Sequence, residues 1–261
     1  MFQSGHHGTS EPLLRVCEAI FFWISGSCAD RSTRMDSIDH RQNMDRILEP
    51  EVMDTWLEAT AYDAMDFISV NMAFATDAIA LDPHAITILD VGTGTARIPI
   101  LMCQQRPQYL INGVDLAQSM LIIGHRNVEE AKLTQRVKLE RVDSKRMPYP
   151  NLAFDLLISN SLVHHLPDPL SFFAEIKRLV KPGGAILIRD LIRPKNDDIV
   201  NDLVAKIGGK YDAHQQQLFR DSLKAALTLV EVQELIDRVG LSRVKLTQSS
   251  DLHWTIERKK I

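Results

Sequence analysis

Cysteine is scarce in this chain: Cys17, Cys28 and Cys103 are the three in 261 residues, far apart and without metal-ligand spacing. That excludes a disulfide framework and a cysteine-held zinc, and it fits a reducing, cytoplasmic setting. Long apolar runs are missing too. The nearest, "AIFFWIS" at 19–25, falls short of the roughly 20 residues that a membrane span needs. It follows Glu18 and a start poor in basic residues, which is a poor match to a signal peptide. Excess positive charge is also lacking: 30 Lys and Arg stand against 34 Asp and Glu, a net charge of −4. A protein that grips duplex nucleic acid through a broad basic face needs the opposite balance. No internal repeat and no low-complexity linker interrupts 86–261.

What is present is ordinary for a globular protein: 45% apolar and 25% charged residues, at a length that one decorated α/β domain can reach. The opening "SGHHGTS" reads as a loose tail, and 1–34 as a poorly ordered extension. Residues 37–48 and 51–80 carry helical spacing and little β-branching, so 35–80 is expected to form a helical lid or cap with Tyr62 at its centre. From 86 onward strand and helix patterns alternate. "ITILDV", "YLINGVD", "RVKLERV", "AFDLLISN" and "GGAILIRDL" read as strands, with helices between most of them. Asp168 and Pro169 open one helix, and Thr228-x-x-Glu231 opens another with a capping box. "RVKLTQ" and "HWTIER" close the chain. Buried apolar strands in βα units imply a parallel sheet with helices on both faces, over 81–261.

The chemistry gathers at "ITILDVGTGTARIPI", 86–100. A buried strand ends on Asp90 and Val91 and runs into Gly92-Thr93-Gly94. Glycines there let the backbone turn and approach a ligand closely, and the helix after Ala96 aims unpaired N–H groups at the same space. Alone, Gly-x-Gly is equally a structural turn. Asp115, 21 residues beyond Gly94 at the end of the next strand, raises its value: a carboxylate there can accept from both hydroxyls of a ribose. A dinucleotide site wants a third glycine where Arg97 stands. A carboxylate at position 90 suits an ammonium better than a pyrophosphate. Both features favour S-adenosylmethionine over a nicotinamide cofactor.

On these residues the chain resembles the class I S-adenosylmethionine-dependent methyltransferases, over roughly 50–258. "LDVGTGTA" resembles their first motif, "GVDLAQSML" the ribose segment and "VDSKRMPYP" the adenine segment. "FDLLISNSLVHHLPDP" followed by "LVKPGGAILIRDLIRP" resembles the fourth strand, its loop and the turn into the fifth. The resemblance implies a Rossmann-like, seven-stranded, mostly parallel sheet with the last strand antiparallel. It implies S-adenosyl-L-methionine as cofactor. Asp90 and the Gly92, Thr93, Gly94 loop would hold the methionine part, Asp115 with Leu116 the ribose, and Asp143 with Ser144 the adenine. Asn160 and Ser161 would lie beside the methyl group. Separately, the position of the aromatic helical block before the first strand suggests that Tyr62 folds over the cofactor. Ala96 replaces the commoner third glycine.

The acceptor is less legible. His164 and His165 follow the fourth strand, where either could serve as base, and each could instead pack the loop. Asp190 and Arg193 are placed to face a substrate or to close the strand end as an ion pair. His214 and Phe219 are candidates for the substrate wall. No Asn/Asp-Pro-Pro-aromatic pattern marks a nucleobase amino methyltransferase, and no cysteine cluster marks an arsenic one. A small-molecule acceptor is expected, with no nucleic acid, no membrane span and no metal. "TAYDAMDF" is loosely similar to a stretch of quinone-ring C-methyltransferases, which are the alternative. Two other classes stay open: a non-catalytic binding protein on this fold, and a nicotinamide-dependent oxidoreductase.

Overall fold

The computed structural model describes residues 44–49, 54–64, 68–208 and 213–261. The extension 1–34 lies outside the described residues, as does most of 37–48. In chain order the elements are α1 (Trp56–Asp63), α2 (Ile68–Leu81), β1 (Thr87–Val91), α3 (Arg97–Gln105), β2 (Leu110–Asp115), α4 (Gln118–Glu130), β3 (Val137–Arg141) and β4 (Phe154–Asn160). A 3₁₀ turn at Val163–His165 follows, then α5 (Leu170–Leu179), β5 (Val180–Leu191), α6 (Asp197–Gly208), α7 (Ala213–Ala225), α8 (Leu229–Val239), β6 (Lys245–Gln248) and β7 (His253–Arg258).

The strands form one sheet in the order β3-β2-β1-β4-β5-β7-β6. β1 to β5 run parallel, and β7 lies antiparallel between β5 and β6. This is the seven-stranded arrangement that the resemblance implies. Alternate residues of each central strand feed opposite cores, as the two-residue period of a strand requires. Leu89, Leu157 and Ile188 pack with Phe172, Ile176, Val232 and Trp254, so α5 and α8 cover one face. Ile88, Leu156 and Leu187 pack with Phe74, Met102, Leu121 and Val128, so α2, α3 and α4 cover the other. Each fully buried side chain of this size stabilises the fold by roughly 1.5–3 kcal/mol.

Three sequence expectations are corrected. Residues 51–80 are not one helical stretch, and their later part is not lid: α2 buries Phe74, Ala75, Ala78 and Ile79 against the sheet. Residues 44–49 are not helical. Their backbone bonds elsewhere, Met44 N–H donating to Lys195 C=O at 3.0 Å and Ile47 N–H to Lys224 C=O at 3.1 Å, so tertiary contacts override the local pattern. Phe219 forms no substrate wall: it is buried with Leu191, Val200, Val204 and Leu223 where α6 and α7 pack together. The capping box on α8 is present as expected, with Thr228 and Glu231 each accepting from the other's N–H.

Candidate active site

The site lies where the parallel strands end. β1 stops at Val91, and Gly92 N–H and Thr93 N–H both donate to Val114 C=O, at 2.8 and 3.0 Å. Gly92 has φ +79°, and a Cβ there would sit 3.0 Å from the Leu162 Cβ, so this position requires glycine. Gly94 and Ala96 also have positive φ, 54° and 64°. Left-handed backbone is what glycine supplies without strain, which accounts for a glycine at position 96 being the commoner choice. Ala96 caps α3, whose N–H groups open toward the loop.

Asp115 reaches this loop directly. Its carboxylate accepts from Gly94 N–H at 2.8 Å and from Ala117 N–H at 2.9 Å. The 21-residue spacing therefore ties the glycine loop to the end of β2. Burial raises the Asp115 carboxyl despite those hydrogen bonds. Asp90 is 2% exposed and accepts from the Thr93 hydroxyl at 2.7 Å. Burial pushes its carboxyl up to about 7; the Thr93 bond opposes the rise and the Asp115 charge adds to it. Val142 N–H donates to Asp115 C=O, which sets the following Asp143 and buried Ser144 beside β2. Asp143 accepts from Lys145 N–H at 2.9 Å and pairs with the Lys145 ammonium at 3.2 Å. Leu116 C=O accepts from Arg141.

Several buried polar atoms here have no hydrogen-bond partner among the described residues: Asn160 Oδ1, Ser161 Oγ and Thr95 Oγ1. An unmet buried polar group costs roughly 1–3 kcal/mol. Three clustered around one glycine loop fit a polar ligand, as do the loop that excludes Cβ atoms and the lone acid at position 90. The residues present therefore suit S-adenosylmethionine.

Beside this loop, after Leu162, stands a second group of side chains. His164 Nδ1 lies 2.5 Å from Asp190 Oδ1, and Val163 N–H donates to Asp190 Oδ2 at 2.5 Å. Burial acts to lower the His164 imidazole, and the Asp190 charge outweighs it and raises it. Asp190 is held low by the same pairing, against its burial. His165 Nδ1 and His164 Nε2 both face Glu49 Oε1, at 3.1 and 3.5 Å. Arg193 does not face a substrate: it is 7% exposed and ties the end of β5 to Glu231 at 2.6 Å and to Ala226 C=O at 2.9 Å.

Sequence reasoning misses the strap that covers this group. Arg46 donates to Ala225, His164 and Leu166 carbonyls at 2.6, 3.1 and 2.8 Å, pinning 44–49 over the turn. It also misses Asp63, which joins α1 to Arg97 at 2.8 and 2.9 Å and to Asn127 at 2.8 Å. Lone charges in a helical-looking segment give no signal of such partners. Gly124 is missed as well: a Cβ there would meet the Leu139 Cδ1 at 2.9 Å and Gly94 C=O at 3.3 Å, so glycine lets α4 lie close against the loop. Tyr62 falls in α1 and His214 in α7, but their side chains lie outside the described residues.

Residues 89–188 match the family model described as methyltransferase domain. A demethylmenaquinone methyltransferase of Listeria welshimeri is 32% identical over 108 residues, 41% of this chain and 45% of that protein. A 27-O-demethylrifamycin SV methyltransferase of Amycolatopsis mediterranei is 23% identical over 171 residues, 64% of this chain and 59% of that one. The chain thus spans about half the length of the curated relatives it matches. Among solved structures, a Methanococcus maripaludis chain assigned to the S-adenosyl-L-methionine-dependent methyltransferases superposes with a TM-score of 0.65, covering 82% of this chain and 98% of that one. At 21% identity that likeness concerns the fold. The family match at 89–188 thus agrees with the sheet order and the glycine loop: these residues resemble a methyltransferase domain, on a fold shared with S-adenosyl-L-methionine-dependent methyltransferases.

Proposed function

We propose that this protein binds S-adenosylmethionine and transfers its methyl group to a small-molecule acceptor. The observation that carries the reading is the glycine loop itself: Gly92 at a φ that side chains rarely adopt and with Leu162 where a Cβ would sit, Asp115 clamped to Gly94, and orphaned polar atoms of Thr95, Asn160 and Ser161 around it. Asp90 with the Gly92–Ala96 loop would hold the methionine portion, Asp115 with Leu116 the ribose, and Asp143 with Ser144 the adenine. When bound, the cofactor supplies a methyl group already activated on a sulfonium. The chain then has to hold an acceptor in line and keep water out, and positioning of that kind is worth several kcal/mol. Asn160 and Ser161 line the reactive end. His164, His165 and Asp190 form the acceptor side, the 44–49 strap closes it, and Tyr62 on α1 belongs to the cover. A cytoplasmic setting accompanies this reading and rests on the cysteine pattern.

Calorimetric titration with S-adenosylhomocysteine and with NADH tests the cofactor. One equivalent of the first and none of the second is expected, and the reverse result overturns the reading in favour of an oxidoreductase. A ring C-methylation of a quinol is the second reading, favoured by the Listeria relative. Incubation with a reduced, ring-unsubstituted naphthoquinone and labelled cofactor separates it: label on a ring carbon supports it, and label only on oxygen excludes it.

A further inference from the structure

We propose that Glu49, His164 and His165 form a binding site for one divalent transition-metal ion, beside the glycine loop and under the 44–49 strap. The ligand-capable atoms of the three residues lie within 4.8 Å of one another. Their measured edges are 3.1 Å from Glu49 Oε1 to His165 Nδ1 and 3.5 Å from Glu49 Oε1 to His164 Nε2. Ligands at zinc distances of about 2.0–2.2 Å stand roughly 2.9–3.5 Å apart around the ion. The two edges to Glu49 therefore fall in the range of a coordination shell, and the third, between the imidazoles, is no longer than 4.8 Å.

Hydrogen bonding explains this arrangement poorly. Asp190 Oδ1 sits 2.5 Å from His164 Nδ1, so the ring proton belongs on Nδ1 and leaves a lone pair on Nε2. That lone pair faces a carboxylate oxygen at 3.5 Å, beyond the usual N–H···O range. His165 Nδ1 is buried and has no hydrogen bond of acceptable geometry among the described residues, although the same oxygen is 3.1 Å away. With both rings neutral and His165 protonated on Nε2, three lone-pair atoms converge on one space. A cation satisfies all of them and balances the two enclosed carboxylates.

The surroundings are those of a supported site. Asp190 fixes the tautomer and orientation of His164, and Ser222 Oγ donates to Glu49 Oε2 at 3.1 Å. Outer carboxylates and hydroxyls of this sort commonly hold metal ligands in place. Glu49, His164 and Asp190 side chains are 10%, 4% and 1% exposed, whereas His165 keeps 19%, so the space opens on one side. Arg46 locks the strap that delivers Glu49 to the turn carrying the histidines. Two imidazoles and one carboxylate select zinc, iron, cobalt or nickel over magnesium, which prefers an all-oxygen shell. Resting on the methyl-transfer reading above, an open position on the ion would take an ionisable oxygen of the acceptor, whose proton leaves to solvent.

The test uses the full chain, stripped with chelator and titrated with zinc chloride, cobalt chloride and magnesium chloride. One equivalent of zinc that survives gel filtration is expected, with ligand-field bands on cobalt addition and no magnesium binding. Glu49→Gln and His165→Phe should each weaken zinc at least tenfold with an unchanged circular dichroism spectrum, Asp190→Asn should weaken it tenfold or more as a positioning residue, and His125→Ala, on the exposed side of α4, should not change it. Absence of stoichiometric zinc, or equal zinc affinity in Glu49→Gln and His165→Phe, overturns the site and leaves an imidazolium held between two carboxylates. S-adenosylhomocysteine binding by the metal-free chain keeps the two readings apart: cofactor bound without zinc defeats the metal site alone, and zinc bound without cofactor defeats methyl transfer alone.

Discussion

At the scale of the residue, Gly92 and Asp90 carry the sharpest consequences. A side chain at 92 meets Leu162 at 3.0 Å in a left-handed backbone. Gly92→Val should abolish S-adenosylhomocysteine binding in calorimetry while the circular dichroism spectrum stays native, because the strain is confined to an end of one strand. Asp90 gives a pH dependence. Its carboxyl is pushed up to about 7 by burial, so below that pH it is largely protonated. An ammonium beside it favours the carboxylate, so binding at lower pH must release a proton. Affinity should rise by up to about tenfold per pH unit as pH climbs toward 7, then level off. Binding enthalpies in two buffers of different ionisation heat would show the released proton, and Asp90→Asn should flatten the profile. Both residues were legible in the sequence, because a loop without side chains next to a lone acid has few structural uses. Glu49 was not legible: a carboxylate gains meaning only from what the fold sets against it, and its partners stand more than a hundred positions away. Arg193 failed for the related reason that a charge at a strand end can face a ligand or a helix, and here the capped Glu231 claims it.

Among the elements, the strap and α1 behave differently from the strands. Both are held by a few charged contacts: Arg46 to four carbonyls, and Asp63 to Arg97 and Asn127. Segments held by few apolar contacts open at low free energy. Hydrogen exchange should show 44–63 exchanging faster than α2 in the free protein and gaining protection when S-adenosylhomocysteine binds. Arg46→Ala should raise exchange in the strap and weaken acceptor turnover while leaving the thermal midpoint nearly unchanged. Equal protection of strap and α2 in the free state would show that the strap is part of the rigid core. Removal of residues 1–67 should leave a folded protein, whereas removal through 81 should not, since α2 buries five apolar residues and Asn71, four of the apolar ones in the cluster against the sheet. Helical spacing over 51–80 was legible, but it gave no sign that α1 would lie against α4 and α2 against the sheet, because both carry aromatic and aliphatic residues in helical spacing.

For the whole molecule, the ends of the strands opposite the site are tied by Asp155. Its carboxylate accepts from Thr87 N–H at 2.9 Å, Ile86 N–H at 3.1 Å and the Lys181 ammonium at 2.8 Å, linking β1, β4 and β5. Burial opposes its charge, and Lys181 with the Thr87 and Ile86 donors outweighs it, holding the carboxyl well below the usual range. A carboxyl lowered on folding stabilises above its unfolded pKa and loses that contribution as pH falls below it. Asp155→Asn should therefore cost about 2–3 kcal/mol at neutral pH in denaturant titration and clearly less near pH 2, because the contribution is lost progressively as pH falls from the unfolded toward the lowered folded pKa. An equal loss at both pH values would point to packing instead of charge. A parallel sheet with helices on both faces was legible from the alternation of apolar strands and helices, and the strand count and antiparallel last strand followed from the family resemblance; the strand order comes from the structure, because alternation does not say which strands become neighbours.

The placement of β7 has a further consequence for how the polypeptide reaches this arrangement. β5 pairs with β4 on one side, and its other edge is closed only by 253–258, with Lys260 N–H and Ile261 N–H then donating to Leu81 and Gly183 carbonyls. While a ribosome is still making the chain, β5 can form but must wait, with an apolar edge of Ile186, Leu187 and Ile188 open to any passing strand. Completion of the sheet thus waits for the synthesis of β7, more than sixty residues after β5. A product that stops short of 253 would keep the glycine loop and the family's motifs intact, yet would leave the ribosome as an aggregation seed, rescued only while a chaperone shields that edge.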